Sequence, residues 1–483
     1  MGQLSIIYSY KMENENLSPI LLLPNEILTK ILINIPNLKN IEYMTVNKRF
    51  FNTIQSLFDH YETLYNSIDP NWEKDIRKLL NELFSSKNEE AIMFLYNNYN
   101  SEKVIYNVIF YIGLFNYTRL LRYVNKTNSY ALANGAAEGG HLDIVKYAVE
   151  LGAKNFNEIA IRAAKGGYLN IVKYIIEMGA NDNAEIVSAA VEGGHLHIVK
   201  YFVDEKHYND FIRIAVFAAL NGHLNIVQYA VQHGANDYER IAVFAALGGH
   251  LDIIKYAVAR GVRNYEHIAM FAAKGGHLHI VEYAVERGAR NYGEIARFAA
   301  KGGHLHIVEY AVERGARNYG EITFTAAFFG HLNIVKFGVA NGVDDYNIIA
   351  LFAARGGHLH VVKYAFKKGA DDLLQITKAA ADYGHLNVVK YGVENGIKNI
   401  EELALLAARG GHLHVVKYLV RRGARNFKQM ATAAAGNGHL NVVKYAVEEK
   451  GANNLNKIMR RAERNEYPEI VKYIESLKNS FNG

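Results

Sequence analysis

The sequence predicts an all-α protein, a solenoid of tandem helical repeats preceded by a small helical segment. The first observation is the stretch FAAKGGHLHIVEYAVERGARNYGEI, which occupies 271–295 and recurs letter for letter at 298–322. The second is a Gly-His-Leu signature that returns at a nearly fixed period, which is typical of solenoids. The third is that each period contains two amphipathic helical patterns that both end in glycine.

The repeat register is set by the histidine of the signature, which we call the junction histidine. From one junction residue to the next the numbering advances by 27 at almost every step, and by 28 at two steps. Tyr168 and Tyr467 stand in place of histidine in two repeats. The junction histidines are His141, His195, His223, His250, His277, His304, His331, His358, His385, His412 and His439. Fainter units precede them, so the array is expected to run from about 80 to 477.

One repeat, residues 264–288, illustrates the predicted helix pair. NYEHIAMFAAKGG predicts a first helix with a face of small apolar residues, ended by a glycine that can adopt a left-handed cap. HLHIVEYAVERG predicts an amphipathic second helix that ends at Gly288. Such a pair is too small to bury its own apolar face, so neighbouring pairs must stack into a continuous core.

The stretch AAKGGHLHIVEYAVERGARN resembles the ankyrin repeat in its Ala-Ala pair, Gly-His junction, I-V-x-x-x-V second helix and closing Gly-Ala-x-x-Asn. The resemblance implies stacked helix pairs. Ankyrin units have about 33 residues and open with T-P-L-H, whereas this period is 27 and no proline lies between Pro70 and Pro468. The residues that form the β-hairpin finger in ankyrins are the missing ones. Short loops with little or no strand are therefore expected.

The predicted domain organisation has five parts. They are an N-terminal tail at 1–19, an F-box-like helical segment at 20–60, degenerate helical repeats at 61–134, ankyrin-like repeats with the shortened period at 135–460, and a C-terminal capping repeat and tail at 461–483. The cap is expected because Arg461, Glu463, Arg464 and Asn465 replace apolar first-helix residues, and a terminal repeat needs a polar outer face.

The N-terminal segment LLLPNEILTKILINIPNLKNIEYMTVNKRFFNTI, residues 21–54, predicts helices with a broad apolar surface. Pro24 opens a helix and Glu26 lies in its first turn, where a negative charge is favoured. About 40 residues can hardly bury that surface alone.

The order of motifs in this segment resembles the F-box pattern of L-P-x-E-I/L, an apolar helix and a V-S-K-R-F/W ending. The matching residues are Leu23, Pro24, Glu26, Ile27, Ile31, Leu32, Val46 and Phe50. The resemblance implies docking on the Skp1 subunit of a cullin-RING ubiquitin ligase. The alternative is that these helices only cover the end of the solenoid.

One first-helix position, seven residues before the junction histidine, varies between repeats and is our candidate target-binding stripe. Its members are Val216, Val243, Met270, Arg297, Phe324, Leu351, Lys378 and Leu405. In ankyrin proteins the corresponding helix lines a binding face, and a mixture of apolar and basic residues suits a partly acidic protein partner. A merely tolerant surface is the alternative. The next position holds Phe217, Phe244, Phe271, Phe298 and Phe352, which we expect in the core between repeats.

Histidines recur as H-L-H pairs, but they do not predict a metal site. Residues two apart point to different sides of a helix, and equivalent histidines in adjacent repeats are about 10 Å apart. Zinc needs each nitrogen within roughly 2.0–2.1 Å. The first histidine of each pair is expected to bond the backbone at the turn between the helices, and the second to be solvated.

Composition excludes several classes of function. The chain has no cysteine, which excludes disulfides and thiol catalysis, and its net charge of +6 over 483 residues is mild. We expect no secretory signal, no membrane span, no catalytic residues, no metal and no cofactor, because no matching motif occurs. A nucleic-acid partner is not expected because Gln228, Glu282 and Glu309 interrupt the recurring lysines at 173, 200, 255 and 363.

These observations predict a non-enzymatic adaptor, expected to be a monomer, that recruits an unidentified target protein to a Skp1-cullin ubiquitin ligase. F-box and ankyrin combinations with near-copied repeats resemble proteins of large DNA viruses, which implies host Skp1 and the host cytoplasm. An interaction scaffold with no ligase link is the alternative.

Overall fold

The computed structural model describes residues 102–482. The predicted tail, the F-box-like segment with its eight Skp1-binding residues, and the first part of the degenerate repeats lie outside the described residues. The described chain forms two compact modules. The first runs to Ala218 and includes Asn225–Gly234, and the second comprises Ala219–Leu224 and the chain from Ala235 onward.

Up to Gln232 the described chain contains nine α-helices and two short 3₁₀ helices. The α-helices are α1 Glu102–Leu114, α2 Ser129–Gly139, α3 Leu142–Glu150, α4 Phe156–Gly166, α5 Leu169–Glu177, α6 Asn183–Glu192, α7 Leu196–Lys206, α8 Phe211–Asn221 and α9 Leu224–Gln232. The 3₁₀ helices, Thr118–Tyr123 and Lys126–Asn128, lie between α1 and α2, where the predicted repeat is degenerate.

The rest of the second module continues the same alternation of first and second helices. Its helices are α10 Tyr238–Gly248, α11 Leu251–Val258, α12 Tyr265–Gly275, α13 Leu278–Glu286, α14 Tyr292–Gly302, α15 Leu305–Glu313, α16 Tyr319–Phe329, α17 Leu332–Ala340, α18 Tyr346–Gly356, α19 Leu359–Lys368, α20 Leu373–Tyr383, α21 Leu386–Glu394, α22 Ile400–Arg409, α23 Leu413–Arg421, α24 Phe427–Ala435, α25 Leu440–Lys444 with a π-helical turn at Tyr445–Glu449, α26 Leu455–Arg464 and α27 Pro468–Asn482.

The predicted all-α, helical-repeat solenoid is confirmed for the part of the chain that is described, where no β-strand occurs. Only Gly276 and His277 separate α12 from α13, and residues 287–291 separate α13 from α14. The short loops follow from the missing finger residues. Arg461, Glu463 and Arg464 on α26, and Asn465 directly after it, are exposed, as expected for a polar outer face.

Local capping explains where the helices begin and end. Asn291 and Asp345 accept hydrogen bonds from the backbone N–H groups of Glu294 and Ile348, at 3.2 and 3.1 Å, and so cap α14 and α18. Gly276 has a φ of +88°, and the N–H of His277 donates to Ala272 O at 2.9 Å, which is a Schellman ending. The predicted glycine caps are therefore confirmed.

The core of each module lies between successive helix pairs and consists of small and β-branched residues. In one repeat Ala269, Ala272 and Ala273 of the first helix and Ile280 and Val281 of the second helix are fully buried. Alanines let the first helices of neighbouring repeats approach closely, while isoleucine and valine fill the space to the second helices.

Two repeats replace the usual alanine pair of the core by threonine and glycine. Most repeats place a buried alanine eight residues before the junction residue and another seven residues after it, as with Ala296 and Ala311. In the repeat of His331 these positions hold Thr323 and Gly338, and a Cβ on Gly338 would lie only 1.7 Å from Thr323 Oγ1. Thr377 and Gly392 repeat this arrangement, with 2.0 Å. The larger residue on one helix is thus matched by the smaller residue on the other.

This matching predicts strong coupling between Thr323 and Gly338. Gly338→Ala alone should lower the free energy of unfolding by about 2 kcal/mol, because the buried site cannot take the extra methyl. Adding Thr323→Ala should restore wild-type stability or exceed it, since alanine favours a helix over glycine by about 1 kcal/mol. Chemical denaturation of the two single variants and the double variant measures the coupling. Additive effects would contradict the matched-pair account.

The junction histidine joins consecutive repeats. The Nε2–H of His304 donates to Lys274 O of the preceding repeat at 3.1 Å. Its ring lies against Gly276, so closely that a Cβ on that glycine would be 2.5 Å from it. A helix leaves its last carbonyls without intrahelical partners, and the histidine satisfies one of them. The expected bond to the backbone exists, but it reaches the preceding repeat rather than the histidine's own turn.

The same bond recurs along both modules. Each Nε2 lies 2.8–3.3 Å from the carbonyl oxygen of the preceding repeat in the pairs His195–Lys165, His250–Leu220, His277–Leu247, His331–Lys301, His385–Arg355 and His412–Asp382. Tyr168 and Tyr467 place a phenol ring on Gly140 and Gly438 instead. Contact with the left-handed glycine is thus the shared feature of these junctions.

The second histidine of the H-L-H pair is more than a solvated residue. Although exposed, His360 donates from Nε2 to Gly330 O at 3.0 Å, and His414 donates to Gly384 O at 2.9 Å. Asn387 makes the same contact with Gly357 O at 2.9 Å. These positions are exposed, as expected, and they also bond the preceding repeat, because the left-handed glycine turns its carbonyl toward the next repeat.

Burial lowers the pKa of four junction histidines, His277, His304, His358 and His412, below the ordinary value of 6.5. Desolvation is the largest cause, and neighbouring histidines add to it. The bonded carbonyl opposes the shift only in part. The folded repeats therefore favour the neutral imidazole.

The folded protein should lose stability as the pH falls through about 6.5. Below that pH the unfolded chain binds protons that the folded junctions resist, so the free energy of unfolding decreases. Urea denaturation between pH 8 and pH 5 measures the slope. A variant with glutamine at His277, His304, His358 and His412 should have a shallower slope than the wild type. An unchanged slope would show that these junctions do not cause the dependence.

Candidate protein-binding face

The residues of the predicted target-binding stripe lie on the first helices, and most of them are partly exposed to solvent. Seven of its eight residues are half-exposed, and Val216 is buried, with 3% of its surface accessible. Val216 therefore offers little to a partner. The other members remain accessible because each directly follows a residue that faces the core, and one step along an α-helix turns the side chain by about 100° away from that face.

The phenylalanine row beside the stripe is not in the core, so that expectation was wrong. Phe217 is 39% exposed, and the other members are half-exposed. In the second module the rings of Phe271 and Phe298 lie 5.6 Å apart across neighbouring repeats. The alanine pair that follows each phenylalanine takes the core position, which leaves the ring at the surface. The sequence signal for this is the alanine pair that directly follows each phenylalanine.

Other aromatic residues extend the row into an apolar surface of the second module. The rings of Phe324 and Phe352 are 5.7 Å apart and nearly parallel, at 14°. Phe329 and Tyr383 are 36% and 49% exposed. We call Phe271, Phe298, Phe324, Phe329, Phe352 and Tyr383 the aromatic face. Exposed rings on consecutive first helices are the kind of surface that proteins use for partners.

Cations accompany the aromatic face. The guanidinium of Arg355 is 5.7 Å from the ring centroid of Phe352 and 6.0 Å from that of Tyr383. The ammonium of Lys301 lies 5.3 Å from the ring of Phe329. These contacts hold the cations next to the rings, where they can meet carboxylates of a partner.

The two charged members of the stripe already have partners. Arg297 binds Glu294 on its own helix, and this hydrogen bond raises the pKa of the arginine. Lys378 forms an ion pair with Glu402 of the next repeat at 2.8 Å. Both pairs are partly exposed, so solvent screening keeps their energies small.

A groove of about 390 Å³ lies beside these residues, between α18, α20 and α22. Its lining includes Leu351, Arg355, Lys378, Asp382 and Tyr383. The Nε of Arg355 is buried there and has no hydrogen-bond partner among the described residues. The groove thus combines apolar residues with charged side chains, as sites for side chains of a partner do.

Three of the recurring lysines, Lys173, Lys200 and Lys363, lie over tyrosine rings of the following repeat. In the first module the ammonium of Lys173 is 4.6 Å from the ring centroid of Tyr201. In the second module Lys363 is 5.6 Å from Tyr391. These lysines serve contacts between repeats.

Neither a metal cluster nor a membrane helix is found in residues 102–482. No three histidine, aspartate or glutamate side chains there come together as a metal ion requires. None of the described helices is long and apolar enough to cross a membrane.

Comparison with known proteins identifies the repeat. A family model of ankyrin repeats, three copies long, matches residues 160–240 and 186–266. No curated protein matches the chain. The pentatricopeptide repeat protein PPR10 from maize aligns over 97% of this chain and 79% of its own, with 13% identity and a TM-score of 0.25. Ankyrin repeats are typical of non-enzymatic scaffolds that bind proteins. Ankyrin repeats are therefore found at residues 160–266, and the spacing of the junction histidines continues beyond this range.

Proposed function

We propose that the protein is an adaptor that binds a target protein through its repeats and a Skp1-cullin ubiquitin ligase through residues 20–60. The aromatic face is the observation that carries the target-binding half of this proposal. Six aromatic side chains on consecutive first helices, with cations beside them, form a surface suited to an apolar and partly acidic partner.

The ligase half is supported by the order of motifs in the N-terminal sequence. Leu23-Pro24, Glu26, the apolar residues up to Leu32, and the ending at Val46 and Phe50 follow the F-box pattern. Apolar surface that a short segment cannot bury by itself is suited to docking on Skp1. The adaptor would act by proximity, because holding both partners raises the effective concentration of target lysines near the ligase.

The resemblance to proteins of large DNA viruses suggests action on host Skp1 in the host cytoplasm, with no catalytic step by the adaptor itself. A scaffold without a ligase link is the alternative, and the ankyrin repeats alone support it. The two functions differ in whether Skp1 binds.

The full chain should bind purified Skp1, and Leu23→Asp or Ile31→Asp should weaken this binding by roughly tenfold or more. Each change would bury a carboxylate in an apolar contact. Isothermal titration calorimetry measures the affinity, and circular dichroism shows whether the repeats stay helical.

Tyr383→Ser is the matched control. It alters the aromatic face and should leave Skp1 binding unchanged. If the folded wild-type chain does not bind Skp1, the ligase link is wrong and the scaffold remains. If all three variants bind as the wild type does, the site at 20–60 is wrong.

A further inference from the structure

The helix α26 differs from every other first helix in its exposed face. Four positions on a first helix face solvent, at ten, seven, six and three residues before the junction residue. On α26 these are Lys457, Arg460, Arg461 and Arg464, all exposed. No first helix from α2 to α24 has more than two cations at these positions, and the two helices that have two, α4 and α14, also have a glutamate there.

The four cations of α26, which we call the cation face, repel one another. Residues three and four apart are neighbours on a helix, and like charges at such spacings destabilise it. Elsewhere in the second module, some cations at these positions are paired with a carboxylate, as Arg409 is with Asp382 at 2.8 Å, and others lie beside an aromatic ring, as Arg355 does beside Phe352. Within residues 102–482 no carboxylate forms an ion pair with any member of the cation face.

The neighbouring helices do not neutralise this face. The charged residue of α24 is Lys428, which is exposed. The charged residues of α27 are Glu469, Lys472, Glu475 and Lys478, and Lys478 approaches α26 at Met459 Sδ, 3.2 Å from its ammonium. Arg461 lies against Gly436 at the end of α24. Glu463 is the one carboxylate of α26, exposed three residues from Arg460, and within the described chain it forms no ion pair with the cation face. A polar outer face alone does not explain why all four positions are cationic, since serine, glutamine or mixed charges would solvate the helix as well.

We propose that the cation face binds an acidic segment of a protein partner, a site separate from the aromatic face. This second site rests on the proposed protein-binding function. Three of the four cations are arginines, whose guanidinium groups bind carboxylates through two parallel hydrogen bonds. The face spans about 10 Å along the helix, and an extended run of four acidic residues has a similar length of roughly 13 Å.

The extent of the face favours a short acidic peptide over nucleic acid. Next to α26, the four corresponding positions of α24 hold Gln429, Thr432, Ala433 and Gly436, which carry no charge. The cations on α20 and α22, Lys378 and Arg409, are bound to carboxylates. At these four positions the positive charge therefore stops after one repeat, and Lys428 is the only exposed cation on α24, whereas a nucleic-acid backbone would require phosphate contacts along several repeats.

Fluorescence anisotropy with the full chain tests the site. The probe is a labelled peptide with four consecutive glutamates, and its counterpart carries four glutamines. The glutamate peptide should bind, more weakly at higher salt, and the glutamine peptide should not. Replacing all four cations by glutamine should weaken binding about tenfold or more. Because the repulsion disappears, the variant should unfold at the same temperature as the wild type or a higher one.

A control variant removes four exposed lysines from other places, by Lys154→Gln, Lys255→Gln, Lys367→Gln and Lys398→Gln. It should bind the glutamate peptide like the wild type. Equal losses in both variants would mean that net charge alone attracts the peptide, and would overturn the site. A double variant, Arg460→Glu with Arg464→Glu, should reject the glutamate peptide and bind a lysine peptide. If it still binds the glutamate peptide, the site is wrong.

Competition experiments distinguish an acidic protein segment from other anionic partners, namely DNA and acidic membranes. If a short DNA duplex, or vesicles of phosphatidylserine and phosphatidylcholine, displace the glutamate peptide and bind more tightly than it does, the proposal is overturned in favour of that partner. Because the probe is a defined peptide, this experiment can fail while Skp1 binding succeeds. It can also succeed while Skp1 binding fails.

Discussion

The contact between a junction histidine and the left-handed glycine of the preceding repeat is the constraint on which each module depends. The glycine ends a first helix and leaves room for the ring, and the ring bonds a carbonyl that the helix cannot satisfy itself. Helix ending, turn and stacking are therefore determined by one pair of residues. Since a single repeat contains only half of each contact, no repeat completes its hydrogen bonding without a neighbour.

The fold could be predicted because the residues that end each helix, and those that form its packing face, all lie within one repeat of the sequence. Gly276 and Gly288 mark helix ends, and the alanines at 272 and 273 mark the face that packs. The hydrogen-bond partner of His304 could not be predicted from its own repeat, because Lys274 O lies 30 residues earlier. It is a backbone carbonyl, which every residue has, so the sequence does not distinguish it from other carbonyls. The phenylalanine row is large and apolar, which predicts a place in the core that the structure does not give it. Alanine had already filled the available space there.

The candidate binding surfaces follow from what the stacking leaves uncovered. Stacking uses the alanine side of each first helix, so the opposite side is free to change from one repeat to the next. In the second module this side is aromatic near Phe352, where rings of adjacent repeats contact each other. On α26 it is wholly cationic. The same repeat backbone thus supports surfaces of different chemistry, because the exposed residues of a first helix are not the residues that pack against neighbouring repeats.

The pairing of Thr323 with Gly338 restricts how such an array can evolve. A gene made of near-copies recombines with itself, and each exchange joins the start of one copy to the end of another. An exchange between these two positions would place a threonine opposite alanine, or a glycine opposite alanine, leaving either a clash or a void. Crossovers in that interval should be purged by selection. Inheritance in these repeats should therefore proceed in blocks that keep both helices of a pair together.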